Sequence, residues 1–264
     1  MTGKEMRLNK LFKHSQRLFT VPMDHGITIG PVAGLTDMPG MVKMVAEGGA
    51  DAVIVHKGLV KQIAGDLNAG KCELIVHLSA STALGPVPNS KELVSSVEHA
   101  IKLGATAVSV HVNLGGDSEG SMLKDMGKVA EYCDQWGMPL LAMMYVRDGI
   151  KENEYDPVKI KHAARVAEEI GADIIKVNYT GSVETFQEVT QAVKVPVIIA
   201  GGQKVNSTYD LLVMIDDAIK AGAKGVSIGR NVFQHHNPTH LARLIRRVID
   251  EDMPREKLKE VAEL

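Results

Sequence analysis

Apolar residues recur along this chain in two alternating rhythms. Short β-rich runs bounded by glycine, proline or aspartate read as strands at residues 18–24, 52–57, 74–79, 107–113, 140–145, 173–179, 197–202 and 225–231. Between them lie longer stretches with apolar residues three and four apart, such as 91–103, 121–136, 157–170 and 208–221, which predict helices.

A repeated punctuation supports the count. Glu47-Gly48-Gly49-Ala50, Lys102-Leu103-Gly104-Ala105, Glu169-Ile170-Gly171-Ala172 and Lys220-Ala221-Gly222-Ala223 each close a helix and open an even-numbered strand. Glycine permits the left-handed helix cap there, and the alanine that follows lets helix and strand approach closely. Parallel strands need crossover connections, so this alternation argues for a single α/β domain, a (β/α)8 TIM barrel. An open, doubly wound sheet is the second reading. The domain is expected to span residues 1–264, with a lead-in over 1–17 and a charged helical tail over 251–264 at the surface or in an interface.

Length and charge agree with one barrel and narrow the partners. The 264 residues carry 30 basic and 32 acidic side chains, which offers no footprint for nucleic acid or an anionic membrane. No signal-like or membrane-length apolar segment is present, so a soluble, cytoplasmic protein is expected. Cys72 and Cys133 lack metal-type spacing and read as free, buried or half-buried thiols.

The chemistry gathers where the predicted strands end, which is where this fold places its active sites. Lys176 is a lone lysine in the apolar run Ile174-Ile175-Lys176-Val177. A buried ammonium group is costly, and desolvation favours the neutral amine, which can attack a carbonyl and form a Schiff base. The alternative is a structural lysine held by a carboxylate. Tyr145 and Asp24, from two other strands, supply a phenol and a carboxylate suited to acid–base work around an imine. Each also has a structural reading, Tyr145 as a core residue and Asp24 as a partner of Lys57 or Arg230.

Gly201-Gly202 and Gly229-Arg230 follow strands seven and eight, the usual phosphate cradle of a barrel. They are expected to offer backbone N–H groups and a forked cation to a phosphate, the alternative being that they only make tight turns. Flavin-dependent barrels grip a phosphate with similar turns, so an FMN oxidoreductase and a non-catalytic phosphosugar sensor are rival readings. His25, His56, His77 and His111 end the first four strands and invite a metal, but no Glu or Cys joins them at ligand spacing. Neither a metal nor a cofactor is expected, and the histidines are assigned to hydrogen bonds with substrate or with one another. His235-His236 is expected at the surface or in an interface.

Taken in order, six segments resemble one family. They are Val21-Pro22-Met23-Asp24-His25-Gly26, His56-Lys57-Gly58, His111-Val112-Asn113, Lys176-Val177-Asn178-Tyr179-Thr180-Gly181, Ala200-Gly201-Gly202 and Gly229-Arg230-Asn231-Val232-Phe233-Gln234-His235. Across residues 18–236 the chain resembles the archaeal-type class I aldolases, (β/α)8 enzymes related to fructose-bisphosphate aldolase. The resemblance implies a Schiff base on Lys176, with Tyr145 as proton donor and Asp24 as proton acceptor. It implies that Asp24, His25, Gly26, Ile27 and Thr28, then Tyr145, Val146 and Arg147, and finally Gly201, Gly202, Gly229 and Arg230 bind a sugar phosphate. Its transaldolase-like branch would cleave a phosphorylated ketose, 6-deoxy-5-ketofructose 1-phosphate, and pass a fragment to a small aldehyde, L-aspartate 4-semialdehyde. Fructose 1,6-bisphosphate cleavage is the alternative within the family, and a ring-based homo-oligomer such as a decamer is also implied. Val146, Asp148, Ser182 and Gln203 depart from residues common in the family, which bears on the donor and the acceptor rather than on the imine.

Overall fold

The computed structural model describes residues 2–67, 71–202, 205 and 207–263. Eight parallel strands close a barrel: β1 (Leu18–Pro22), β2 (Ala52–His56), β3 (Glu73–His77), β4 (Ala107–Leu114), β5 (Leu140–Val146), β6 (Ile174–Val177), β7 (Val197–Ala200) and β8 (Gly225–Ser227). Each strand pairs with its sequence neighbours, and β1 meets β8 through Leu18↔Gly225 and Thr20↔Ser227. This is the expected (β/α)8 TIM barrel rather than an open sheet. The four punctuating glycines Gly49, Gly104, Gly171 and Gly222 all take positive φ, at 92°, 82°, 106° and 95°.

Alternation along the strands sorts side chains into two cores. Outward residues such as Val53, Val55, Val108, Val110, Ile175 and Ile199 pack under the helices. Inward residues Leu18, Ala52, Ile54, Ile75, Ala107, Leu141, Met143, Ile174 and Ile198 fill the barrel as a separate apolar plug.

The lead-in does more than its composition suggests. Residues Thr2–Leu11 form a helix whose Leu8 and Leu11, with the following Phe12, join the inner plug and close the N-terminal end of the barrel. Lys4 fixes this helix through Asp134 at 2.5 Å and Asp173 at 3.1 Å. The tail forms a helix, Arg255–Ala262, that is not merely superficial, because Leu258 and Val261 are buried against the domain core.

Two expectations about elements are corrected. The helix expected from residue 91 begins only at Val97, since Ser96 caps it by accepting from His99 N, and Glu92–Leu93 instead pair antiparallel with Ser79–Ala80. The eighth strand stops at Ser227 rather than 231, because Gly229 turns the chain into a four-residue helix, Arg230–Phe233.

A buried ion network staples β1 to the last long helix, Pro238–Asp250. Asp51, fully buried, accepts from Phe19 N at 2.7 Å and from Arg246 Nη1 at 2.9 Å, and Arg246 also reaches Asp250 at 2.5 Å. Removing one partner of a buried pair leaves the other charge uncompensated. Arg246→Met is expected to cost about 3–5 kcal/mol of stability in urea unfolding. A loss below about 1 kcal/mol would show that Asp51 is satisfied without the guanidinium.

Candidate active site

Inward positions at the C-terminal ends of the strands build a polar layer directly above the apolar plug. On β6, Ile174 belongs to the plug and Lys176, two residues on, is the first polar group above it. Lys176 sits between Met143 and Ile198 in the ladder and is only 5% exposed. Its Nζ lies 3.9 Å from Met143 Sδ. Among the described residues it has no ion-pair partner, so the reading of a lysine held by a carboxylate finds no such group.

Asp24 follows β1 and faces two rings, with His25 Nδ1 and His77 Nε2 each 3.7 Å from a carboxylate oxygen. Burial alone would raise its carboxyl, but the fields of His77, His25 and Lys176 outweigh that cost and hold it well below the usual carboxylate range. Its partners are therefore these groups, not Lys57 or Arg230. Lys57 points instead at the Val94 carbonyl.

The four rim histidines are anchored individually. His77 Nδ1 meets Ser109 Oγ at 2.8 Å, His111 Nε2 meets Asn113 Oδ1 at 2.9 Å, and His25 packs edge-on against Phe233. Burial pushes His77 down to about 4 and His111 down to about 3, so both rings are neutral near pH 7. His56 contacts His77 edge-to-face, and its buried ring nitrogens make no close hydrogen bond among the described residues, near the backbone of His77 and Asp24. No three His, Cys, Asp or Glu side chains among the described residues group as metal ligands.

Two adjoining cavities open over this layer. The first, about 250 Å³, is lined by Asp24, His25, Ile27, Thr28, His56, His77, Ser79, Lys91, His111, Tyr145, Lys176 and Arg230. The second, about 350 Å³, is lined by Arg147, Lys151, Glu154, Tyr155, Asn178, Gly201, Gly202 and Gly229, and shares His25, His111, Tyr145, Lys176 and Arg230 with the first. Lys176 and Tyr145 thus face both.

The second cavity contains the glycine turns, with one correction. Gly201 donates its N–H to Ser227 O at 3.1 Å, extending the sheet ladder, and so is not available to a ligand as expected. The turns are tied together by Arg230 Nη2 to Gly202 O at 2.9 Å and by Asn231 Nδ2 to Gly201 O at 3.1 Å. Arg230 thus has a backbone partner rather than a surface carboxylate. Only glycine fits at 229, where a Cβ would lie 2.8 Å from Pro22 O and 2.9 Å from His25 Cε1. Gln203, noted above as a departure, lies outside the described residues.

Three expected binding residues are placed differently. Val146 faces away from the mouth, toward the helices, because its neighbour Tyr145 points in and strand residues alternate. Gly26 borders a third cavity with Met23, Leu35 and Met38, which adjoins the first through Asp24, Ile27 and His56. Arg147 lines the second cavity, but its guanidinium is paired with Glu154 and lies 5.4 Å from the centre of the Tyr145 ring. The residues that sequence reasoning did not single out are Lys91, Ser79, Lys151, Glu154 and Tyr155. Ser79 closes the third predicted strand but carried no assigned role, Lys151, Glu154 and Tyr155 lie on a short 3-10 helix, Lys151–Tyr155, with no strand-end signature, and for Lys91 the only local hint was the Ser96 cap that should have shortened its supposed helix. Cys72 and Cys133 are free and buried away from the mouth, with burial pushing both thiols up to about 12.

The rim histidines predict a pH dependence of stability. The unfolded chain protonates His77 near 6.5, whereas the folded chain keeps it neutral to about 4, so the unfolded state binds more protons in between. Stability from this group is complete above pH 6.5 and is lost as pH falls toward 4. Relative to His77→Gln, the wild type is expected to lose on the order of 2 kcal/mol between pH 7 and pH 4 in denaturant titrations. Parallel curves for the two proteins would refute the assignment.

Comparison with known proteins places this geometry. The DeoC/LacD family aldolase profile matches residues 18–235. A 2-amino-4,5-dihydroxy-6-oxo-7-(phosphonooxy)heptanoate synthase from Streptomyces griseus is 44% identical over 91% of this chain and 88% of its own length. A 2-amino-3,7-dideoxy-D-threo-hept-6-ulosonate synthase from Archaeoglobus fulgidus is also 44% identical, over 98% and 96% respectively. Among solved structures, an archaeal fructose 1,6-bisphosphate aldolase superposes with a TM-score of 0.83 at 30% identity, covering 92% of this chain and 99% of that one. The chain belongs to the DeoC/LacD aldolase family and is an enzyme of aldolase type.

Proposed function

We propose that this protein is a Schiff-base transaldolase that moves a ketone fragment from a phosphorylated ketose to L-aspartate 4-semialdehyde, forming 2-amino-3,7-dideoxy-D-threo-hept-6-ulosonate. The observation that carries the reading is the Lys176 amine, buried without an ion-pair partner among the described residues, facing both a cavity that contains Asp24 and a cavity that contains the glycine turns and Arg230. The names of the two 44% identical relatives support the acceptor. Both products are seven-carbon 2-amino acids with a ketone at carbon 6. An aldol bond to that ketone joins carbons 4 and 5, and undoing it leaves a four-carbon 2-amino acid with an aldehyde at carbon 4. The products differ at carbon 7, which is phosphorylated in one and deoxygenated in the other.

With 6-deoxy-5-ketofructose 1-phosphate as donor, the Lys176 amine condenses with the C5 ketone and water leaves. The C3–C4 bond then breaks, its electron pair flows into the iminium to give an enamine, and the C3 hydroxyl proton passes to Asp24. The phosphorylated three-carbon aldehyde departs. Carbon 4 of the enamine attacks the aldehyde of the acceptor, whose oxygen takes a proton from Tyr145, and hydrolysis returns the amine. One proton passing from Asp24 to Tyr145 resets the pair. Before it takes that proton, Asp24 also contributes the negative charge it holds beside the cationic imine. Arg230 and the Gly202 and Gly229 turns hold the phosphate.

The alternative, cleavage of fructose 1,6-bisphosphate, is favoured by the likeness to the archaeal aldolase structure. Borohydride with donor is expected to label Lys176, and Lys176→Ala to abolish both labelling and turnover while the chain stays folded. Incubation with fructose 1,6-bisphosphate, with and without L-aspartate 4-semialdehyde, separates the two functions. Rapid triose phosphate release without acceptor would support the alternative, and a label on Lys57 would overturn the assignment of the nucleophile.

Arg230→Ala is expected to weaken a phosphorylated donor by about 1.5–3 kcal/mol, the range for a hydrogen bond to a charged group. Binding of an unphosphorylated analogue should change little. Equal losses for both would make Arg230 a strut for the Gly202 loop rather than a phosphate ligand.

A further inference from the structure

Lys91 is a second buried lysine at the barrel mouth, and nothing in the reaction above uses it. It is 9% exposed and lines the first cavity together with Lys176, but not the second. An ammonium group has three donors. One is spent on Ser81 Oγ at 2.6 Å, and among the described residues no carboxylate pairs with it. Ser81 cannot balance the charge, because its own hydroxyl donates to Pro88 O at 2.5 Å.

The segment carrying Lys91 is held on both sides. Asn113 Nδ2 donates to Asn89 O at 2.7 Å, Glu92–Leu93 pair with Ser79–Ala80, and Val94 N donates to Leu78 O at 2.8 Å. The cation is therefore fixed at the cavity wall rather than carried on a loose loop. Fixing a desolvated, unpaired charge is unfavourable for the empty protein and favourable only when an anion arrives. Beside it, His56 contributes two buried ring nitrogens that make no close hydrogen bond among the described residues, near the backbone of His77 and Asp24.

Position indicates which anion this is. Lys91 lies in the connection from β3 to β4, whereas Gly201 and Gly202 follow β7, four strands away in either direction around the closed barrel. The phosphate cradle and Lys91 thus stand on opposite sides of the mouth, and Lys176 faces both cavities. We propose that Lys91 receives the carboxylate of the amino-acid aldehyde acceptor, so that the first cavity, with His56 at its wall, is a subsite for the α-amino-acid end of that substrate. This rests on the transaldolase reading and adds to it the residue that selects a charged acceptor over a plain aldehyde. The positive charge of Arg147 and the negative charge of Asp24 both act on Lys91, and burial is the largest influence, lowering its affinity for the proton. A bound carboxylate would reverse that influence.

The test uses L-homoserine, which has the acceptor's amino-acid end but an alcohol in place of the reactive aldehyde, and 3-aminobutan-1-ol, which replaces its carboxylate by a methyl group. Calorimetry on the whole protein compares wild type with Lys91→Met, which keeps the length and apolar stem of the side chain. L-Homoserine is expected to bind the variant at least tenfold more weakly, with 3-aminobutan-1-ol and inorganic phosphate unaffected. In turnover the KM for L-aspartate 4-semialdehyde should rise by a similar factor, while borohydride labelling of Lys176 by donor stays at the wild-type level. Unchanged L-homoserine binding, equal losses for both amines, or no L-homoserine binding by the wild type would each overturn the proposal. Failure of the wild type to be labelled would overturn the transaldolase reading instead, and the calorimetric comparison would still decide the role of Lys91.

Discussion

Strand alternation in a closed barrel is the constraint on which the rest of this molecule depends. Once eight strands are joined edge to edge, every second residue must point inward, where space is small and water is excluded. The chain meets this with apolar residues for most of the barrel's height and then changes character within two positions. Ile174 is plug and Lys176 is site. The same step occurs on β2 between Ile54 and His56, and on β3 between Ile75 and His77. The boundary between dry core and polar mouth is thus a ring made by several strands, and the Lys176 amine stands on it.

That position explains the chemistry the site can support. Among the described residues the amine on its apolar floor has no ion-pair partner, and Asp24 is a carboxylate on which its charge acts. The histidines do not add competing charge at neutral pH, because burial keeps His77 and His111 unprotonated. Two of the cations that line the mouth, Arg230 and Lys91, lie on connections after β8 and β3, and anionic substrate ends can meet them there while the reacting carbons lie over Lys176.

The opposite end of the barrel is organised for stability. The N-terminal helix stoppers the interior with Leu8, Leu11 and Phe12, and the charged groups there, Lys4 with Asp134 and Asp173 and Asp51 with Arg246, are fully engaged with one another. Charges paired with one another at the closed end, and the Lys91 and Lys176 amines without a carboxylate partner among the described residues at the open end, divide the fold into a structural half and a chemical half, as the geometry of this fold favours. Among the described residues no helix is long and apolar enough to cross a membrane.

Much of this was legible in the residues alone, for a local reason. Strand and helix periods and glycine caps are short-range signals, so the eight strands, the barrel and the strand-end positions of Asp24, Tyr145, Lys176 and Arg230 could be read directly. Alternation also implies that a residue beside an inward one points outward, which rules Val146 out of the mouth once Tyr145 is in it. What only the tertiary structure decided are the contacts between distant segments. The Gly201 N–H is consumed by Ser227, Arg147 is taken by Glu154, and Lys91 is brought to the wall of the Lys176 cavity by a two-residue ladder and one asparagine. A one-dimensional pattern records which way a side chain points from its own strand. It does not record what arrives from elsewhere to meet it, because those pairings are set by the closure of the barrel and the packing of its loops.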